Sequence, residues 1–352
     1  MSQIDSQKQA MYSRIYSIES DISSAVGAIN GARNNIAHVE GSVVSLPSRL
    51  GKVRERGYAA LGHLEKDIDL LSKKWTEVSP SVKQAFASSV EPLASQANSL
   101  QSEARGLRIM VDSGNLQGSA ILASRLSPAV SSLGMRIASE VGKVNAPLGE
   151  LSSSIDNVNQ DLKVAEQTVE FFSQANFPMK QEESPILAVE GKILKGDKNN
   201  GTLYFTNQRF VFEAKKEVVL EKKFFIVTKK KIERVVQIDQ PIGALKEISK
   251  GRVGFIAWTG IYVRFKPDSR EEDTQFDVEG CEADLILRFY DYIIKGEADK
   301  DIAALNGTTT TQAAPTMQIL HCSRCSAPYT REIFRGQKTV QCEYCGTQIV
   351  VQ

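Results

Sequence analysis

The sequence lacks the features that identify several common classes of protein. It contains no run of about 20 apolar residues, so no membrane-spanning helix is predicted. The opening residues, MSQIDSQKQA, include no apolar stretch, so we expect no signal peptide. Lys and Arg number 43 against 42 Asp and Glu, and this net charge of +1 argues against a protein that coats nucleic acid by charge alone. We expect a cytoplasmic protein, soluble or peripheral at a membrane surface.

The sequence also has few residues and motifs that are typical of enzyme active sites. The chain has only 3 histidines, so few groups are suited to general acid–base chemistry near neutral pH. It has no phosphate-binding G-x-x-x-x-G-K-[ST] loop, no H-E-x-x-H zinc motif and no G-x-S-x-G nucleophile motif. The sequence therefore predicts neither an enzyme nor a small-molecule substrate.

The remaining composition is that of a folded protein with several domains. Hydrophobic residues make up 41% of the 352 residues and charged residues 24%, which is enough to bury a core. At about 150 residues per domain, this length indicates two or three domains. The pattern of apolar residues changes twice along the chain and divides it into regions 1–176, 177–300 and 319–352, with a linker at 301–318.

In region 1–176 the apolar positions recur at alternating intervals of three and four residues. Such a pattern predicts helices with a coiled-coil seam. The first series consists of Ile15, Ile18, Ile22, Ala25, Ile29, Ala32, Ile36, Val39, Val43 and Leu46. Three interpretations stay open: a helical bundle within one chain, a rod that self-associates or docks a helical partner, and a lipid-binding amphipathic surface.

Interruptions of this pattern predict where the helices end. The polar, glycine-containing segment 112–118 predicts a turn. The phase slips near Val78, where Ser79 could cap a new helix that begins at Pro80. It continues unbroken through Pro47 and Pro147, which favours kinks within continuing helices.

Region 177–300 has the alternating pattern of short β-strands followed by one helix. Turn segments separate the strands, and the helix is predicted over Glu282–Ile294. The predicted strands are Ile186–Val189, Leu203–Phe205, Phe210–Phe212, Glu217–Leu220, Phe224–Thr228, Ile232–Ile238, Val253–Ala257, Ile261–Phe265 and Thr274–Val278. This order predicts a small β-barrel capped by a C-terminal helix.

One motif in this region resembles a known family. Residues 201–212, GTLYFTNQRFVF, resemble the G-x-L-Y-x-T-x-x-R-x-x-F signature of GRAM domains, which have the pleckstrin-homology fold. The resemblance covers about a third of the chain. It implies a domain that docks on membrane lipid or on a protein and that carries no catalytic residues.

Basic residues near the first hairpin are candidates for binding a phosphorylated lipid headgroup. They are Lys192, Lys195, Lys198 and Arg209. A basic residue near an anionic membrane contributes about 1 kcal/mol of binding. Asp197 lies in the same loop and opposes this attraction. Protein docking and simple protection of exposed strand edges by lysine are the alternatives.

The last region has the spacing of a zinc ribbon. Segment 301–318 has little charge and no periodicity and reads as a flexible tether. Beyond it, Cys322 and Cys325 form one C-x-x-C pair, and Cys342 and Cys345 form a second after sixteen residues. This spacing predicts one structural Zn²⁺ held by four thiolates, with iron as a minor alternative. The fifth cysteine, Cys281, is expected to be a small buried residue.

These observations predict a multidomain α + β protein, made of a helical coiled coil or bundle, a GRAM-like barrel with a C-terminal helix, and a zinc ribbon. We expect a non-enzymatic adaptor that self-associates through its helices or binds a helical protein, docks by its barrel, and recruits a partner through its ribbon. One alternative is a nucleic-acid-associated protein that reads its target through Arg331 and Arg335 of the ribbon. Another is a structural component of a filament or sheath.

Overall fold

Two units of different architecture make up the structure. This computed structural model describes residues 3–180, 182–195, 198–223, 226–254, 258–269, 271–278, 280–307 and 320–351. Contacts group Met1–Ser48 with Glu65–Asn159, and Arg49–Leu64 with Gln160–Gln352. The fold is mixed α and β, with long N-terminal helices, a seven-stranded antiparallel sheet and a C-terminal cluster of four cysteines.

The first unit is a bundle that the helices form within one chain. The helices are α1 (Gln3–Glu55), α2 (His63–Ala85), α3 (Glu91–Asp112) and α4 (Leu116–Ser173), of which α1 from Arg49, the first two residues of α2 and α4 from Gln160 are grouped with the second unit. Every residue of the predicted first seam series is buried. Ion pairs cross between helices at the surface, with 2.6 Å from the Lys83 Nζ to the Glu40 carboxylate and 2.8 Å from the Arg108 guanidinium to Glu19. The seam therefore packs against helices of the same chain.

The helix ends agree with the sequence in part. The turn at 113–115 separates α3 from α4, and Pro47 and Pro147 lie inside continuing helices, as predicted. The prediction of a new helix at Pro80 is wrong, because α2 continues to Ala85. A π-helical turn at Phe86–Val90 follows instead. Its extra residue per turn accounts for the slip in phase.

The sequence pattern does not predict the end of the first helix. Helix α1 ends at Glu55, and α2 begins at His63. In the connection, Gly57 and Leu61 both have left-handed backbone conformations, with φ of 85° and 56°. In the sequence, Val53, Gly57, Leu61 and Leu64 keep the seam's spacing of three and four residues, so the pattern continues through a segment that is not helical.

The second unit contains a sheet in which two antiparallel meanders meet. The strands are β1 (Pro185–Ile193), β2 (Asn200–Thr206), β3 (Arg209–Lys223), β4 (Ile226–Pro241), β5 (Leu245–Val253), β6 (Trp258–Phe265) and β7 (Thr274–Asp277). Their order is β4-β3-β2-β1-β7-β6-β5. Strands β1 and β7 join the meanders through the partners Lys192↔Asp277 and Ile193↔Phe276. Within the described residues, β4 and β5 are the sheet's two outer strands.

Four short strands predicted between 210 and 238 are two long strands, β3 and β4. Their register runs from Arg209↔Pro241 to Lys223↔Ile226. Irregularities at Phe212/Glu213 and after Val219 interrupt the strict alternation of residues. These bulges explain why the sequence suggested separate strands.

Aromatic side chains fill the core of the sheet, and two helices follow it. Phe212 and Phe276 are fully buried with ring centroids 5.0 Å apart, and Phe205 and Phe210 have the same separation. Helix α5 (Gly280–Ile294) includes the predicted helix, and its Ile286 is fully buried. Helix α6 (Glu297–Leu305) then occupies the first residues of the predicted linker.

The rest of the linker, 308–318, lies outside the described residues, and so does the side chain of Cys281. The cysteine cluster follows, with the two short strands β8 (Thr339–Gln341) and β9 (Gln348–Val350). Among the helices that the structure describes, none combines the length and the apolar character that crossing a bilayer requires.

Candidate metal centre and basic hairpin

Two similar turns hold the four C-terminal cysteines. In each turn, the residue after the second cysteine donates its N–H to the carbonyl of the first, from Ser326 to Cys322 at 2.8 Å and from Gly346 to Cys342 at 3.0 Å. Both donors have left-handed backbones, with φ of 56° and 72°. Gly346 adopts this conformation at little cost, because glycine has no Cβ atom. At Ser326 it occurs without glycine.

The two turns bring the four sulfur atoms together. Their Sγ atoms all lie within 4.8 Å of one another, so the cluster could hold a metal ion. The contacts across the turns are 3.5 Å between Cys322 and Cys345 and 3.5 Å between Cys325 and Cys342. These distances are much longer than the roughly 2.05 Å of a disulfide. They fit sulfur atoms arranged around a cation with metal–sulfur distances of about 2.3 Å.

The electrostatics of the cluster favour a cation at its centre. The side-chain hydrogen bond of Thr347 and its backbone N–H lower the pKa of Cys345 to about 6. At Cys325, the Ala327 backbone N–H lowers the pKa, but desolvation and the three neighbouring cysteines raise it to about 12. The four thiols therefore cannot all ionise easily by themselves. A divalent cation among them would remove this conflict.

A small core supports the turns. Val340 of β8 and Ile349 of β9 are register partners, and both are buried against Cys322 and Cys342. His321 precedes the first turn, where its Nδ1 lies 3.2 Å from the Ser326 carbonyl oxygen. It is not among the four residues whose ligand atoms converge.

The four basic candidates lie in different surroundings. Lys192 is half-buried in β1, whereas Lys195 and Lys198 are exposed. The Lys195 ammonium pairs with the Glu272 carboxylate at 2.5 Å. Lys195 and Lys198 thus present cationic side chains beside the first hairpin, and the attraction of Lys195 for an anion is reduced by its partner.

Arg209 does not fit the headgroup role expected for it. Its side chain is only 3% exposed, and its guanidinium lies 2.7 Å from Glu183 and 2.8 Å from Asp239. It also donates to the Pro178 carbonyl at 3.0 Å. An arginine enclosed by two carboxylates cannot reach a lipid phosphate, so its role is structural. The sequence suggested a surface position because it did not show that Glu183 and Asp239 converge on it.

The ribbon's arginines also have acidic partners. The Arg331 guanidinium pairs with Glu343, and that of Arg335 pairs with Asp299 of α6. The sequence showed these arginines only as basic residues, because their partners lie elsewhere in the chain. The pairing reduces the positive charge that each offers to nucleic acid.

Comparisons with known proteins give little further information. No protein-family model matches the chain, the GRAM family included, and no curated protein matches it. A search of solved structures returned autoinhibited Vav1, at 9% identity and a TM-score of 0.25, over 99% of this chain and 67% of that one. A likeness at this score carries no argument about fold or function.

Proposed function

We propose that this chain is a non-enzymatic cytoplasmic adaptor that holds one structural Zn²⁺ and docks on anionic membrane surfaces. The convergence of four thiols is the observation that carries the proposal. Support for the docking role is the GRAM-like motif at 201–212 together with exposed lysines at the first hairpin. In this proposal the ribbon and the helical bundle provide surfaces for protein partners.

Zinc fits the four-cysteine cluster better than a catalytic metal does. Cys322, Cys325, Cys342 and Cys345 would occupy all four corners of a tetrahedron. No position would stay open for water or substrate, so the ion would stabilise the fold rather than take part in a reaction. A segment of fewer than about 40 residues rarely folds by apolar burial alone, so metal binding would supply the free energy that this segment needs to fold.

Metal analysis of the purified protein tests the zinc site. We expect one zinc per chain, and loss of zinc in the Cys342→Ser/Cys345→Ser variant, because two thiolates cannot complete the tetrahedron. Cys281→Ser is the matched control, since Cys281 is the second residue of α5, far along the chain from the cluster, and this variant should keep the full zinc content. Iron in place of zinc, or a protein without metal, would refute this assignment.

Co-flotation with liposomes tests the docking role. We expect the protein to float with anionic but not with neutral vesicles, and less so as salt screens the attraction. The Lys192→Glu/Lys195→Glu/Lys198→Glu variant should stay at the bottom of the gradient. A control with the same charge change replaces three exposed lysines of α2, Lys66, Lys73 and Lys74, by Glu. Equal loss in both variants would count against a site at the first hairpin, and no flotation of the unmodified protein would count against lipid docking.

A further inference from the structure

One loop of the cysteine module, the ribbon tip, lies against the sheet domain, and two ion pairs flank this contact, with 2.6 Å between Lys266 and Glu332 and 3.3 Å between Lys338 and Glu182. This ribbon tip consists of Phe334, Arg335 and Gly336 and precedes β8. It lies against Gln208, at the turn between β2 and β3, and against Gly243, in the short 3₁₀ segment Ile242–Ala244. We call these two residues, with Ile293 of α5 and Asp299 of α6, the socket. The tip and the socket belong to the same unit.

Two glycines bring the backbones of tip and socket into direct contact. The Gly243 N–H donates to the Arg335 carbonyl at 3.1 Å. A Cβ on Gly243 would lie 2.3 Å from the Arg335 nitrogen, and one on Gly336 would lie 2.0 Å from the Gln208 oxygen. Gly336 also has a φ of 82°, which other residues rarely adopt. Any larger residue at either position would push the two surfaces apart.

Side chains of the tip add specific contacts. The Arg335 guanidinium donates to the Ile293 carbonyl near the end of α5 and to the Asp299 carboxylate in the first turn of α6. Both partners favour a cation, because one is a carbonyl at a helix C-terminus and the other is an acid. Phe334 is 6% exposed, and the Lys266 ammonium of the sheet domain lies 5.2 Å from its ring centroid.

The shape of the tip depends on the rest of the module. The Gln337 N–H donates to the Phe334 carbonyl at 2.9 Å, and the Gln337 side chain accepts from the Phe334 N–H at 3.0 Å. The backbone carbonyl of Lys338, directly before β8, accepts a hydrogen bond from the Val351 N–H at 2.8 Å. The tip thus continues into the strand that packs on the cysteines, so a module that loses its fold also loses the tip.

We infer that metal binding and docking of the ribbon are coupled, so that the metal-loaded module occupies the socket and the metal-free module leaves it. The inference rests on the proposed metal site. It changes the expected role of the linker, because the loaded ribbon is held in place rather than free to search for partners. Because linkage is reciprocal, weakening the docking must also weaken the retention of metal.

Hydrogen exchange on the full-length protein measures the docking. We expect the peptide that contains Gly243 to be protected in the zinc-loaded protein and to exchange faster after chelation. The variant Arg335→Ala should show the faster exchange while zinc is still bound. Arg324→Ala is the control, because Arg324 is an exposed residue of the ribbon that lies outside the tip. Equal exchange of this peptide with and without zinc would overturn the inference.

Competition with a chromophoric zinc chelator measures the reciprocal effect. We expect Gly243→Val, which alters only the sheet side, and Arg335→Ala to lower zinc affinity by about fivefold or more, the low end of ordinary coupling between sites. Arg324→Ala should leave it unchanged. Unaltered zinc affinity in both docking variants would overturn the coupling but leave the metal site intact. An unmodified protein that binds no zinc would overturn both proposals, so the two failures are distinguishable.

Discussion

The helical bundle and the sheet unit are stabilised in contrasting ways. In the bundle, many apolar side chains of modest size repeat along the helices, and its cross-helix ion pairs lie at the surface, as at Lys83 and Glu40. The sheet unit relies on fewer and more specific contacts, which are those of large aromatic rings, an enclosed arginine and four clustered thiols. The comparison teaches that stability is distributed in the first region and concentrated in a few contacts in the second.

Each region contains one of the chain's 2 tryptophans, which allows the two to be followed separately. Trp75 belongs to the bundle and Trp258 to the sheet unit. A Trp75→Phe background therefore reports on the sheet unit, and a Trp258→Phe background reports on the bundle.

The largest effect is expected where the sheet unit depends on one buried charge. Arg209→Ala leaves Glu183, whose side chain is 0% exposed, without the cation that balances its charge. Breaking a buried pair in this way costs about 3–5 kcal/mol. Urea denaturation in the Trp75→Phe background should show this loss, and in the Trp258→Phe background the bundle's transition should stay in place. A loss below about 1 kcal/mol, typical of surface pairs, would mean that the concentration of stability inferred here is wrong.

The same contrast explains what the sequence could and could not predict. The seam residues of the bundle were identified because burial in a helix leaves a period in the sequence. The four cysteines were identified because their spacing is local to each turn. Arg209 and its partners were missed because Glu183 and Asp239 lie 26 and 30 residues away from it. No local pattern shows a contact of that kind.

Connections were the least predictable part of the fold. The segment between α1 and α2 keeps the spacing of apolar residues that helices have, so the sequence does not predict a break there. Leu61 in this segment is buried, although its backbone is not helical. The docking of the ribbon was missed for another reason. Arg335 and Gly336 resemble any polar hairpin turn, and only the structure shows Gln208 within reach of them.

A smaller loss is expected for a single seam residue. Ile29 of α1 is 2% exposed, and Ile29→Ala should cost about 2–5 kcal/mol, toward the lower end where small neighbours can close the cavity. Thermal unfolding in the Trp258→Phe background measures it. Val44 on the same helix is 73% exposed, and Val44→Ser is the control, with an effect within about 0.5 kcal/mol. A large, concentration-dependent effect of Val44→Ser would instead show that the outer face of the bundle mediates self-association.

The smallest effect is a dependence on pH that should separate the two regions. Burial opposes ionisation of Glu183, but the hydrogen bonds from Arg209, the Lys180 N–H and Thr206 outweigh it, and the pKa falls below the usual 4.5. A carboxylate with a lowered pKa stabilises the folded state above its unfolded pKa, and this contribution disappears as the pH falls through the folded value.

The sheet unit should therefore lose stability progressively below about pH 4.5, by at most about 1.4 kcal/mol per pH unit for this one group. Glu183→Gln removes the titrating group and should flatten that slope, although it lowers stability at pH 7. The matched variant in the bundle is Glu40→Gln, whose carboxylate is 45% exposed in its ion pair with Lys83. At pH 7 it should change the stability of the bundle by no more than about 1 kcal/mol, because water screens an exposed pair. If Glu40→Gln lowered stability at pH 7 as much as Glu183→Gln does, the surface pair would matter as much as the enclosed one, and the contrast between the regions would then rest on the aromatic core and the thiols alone.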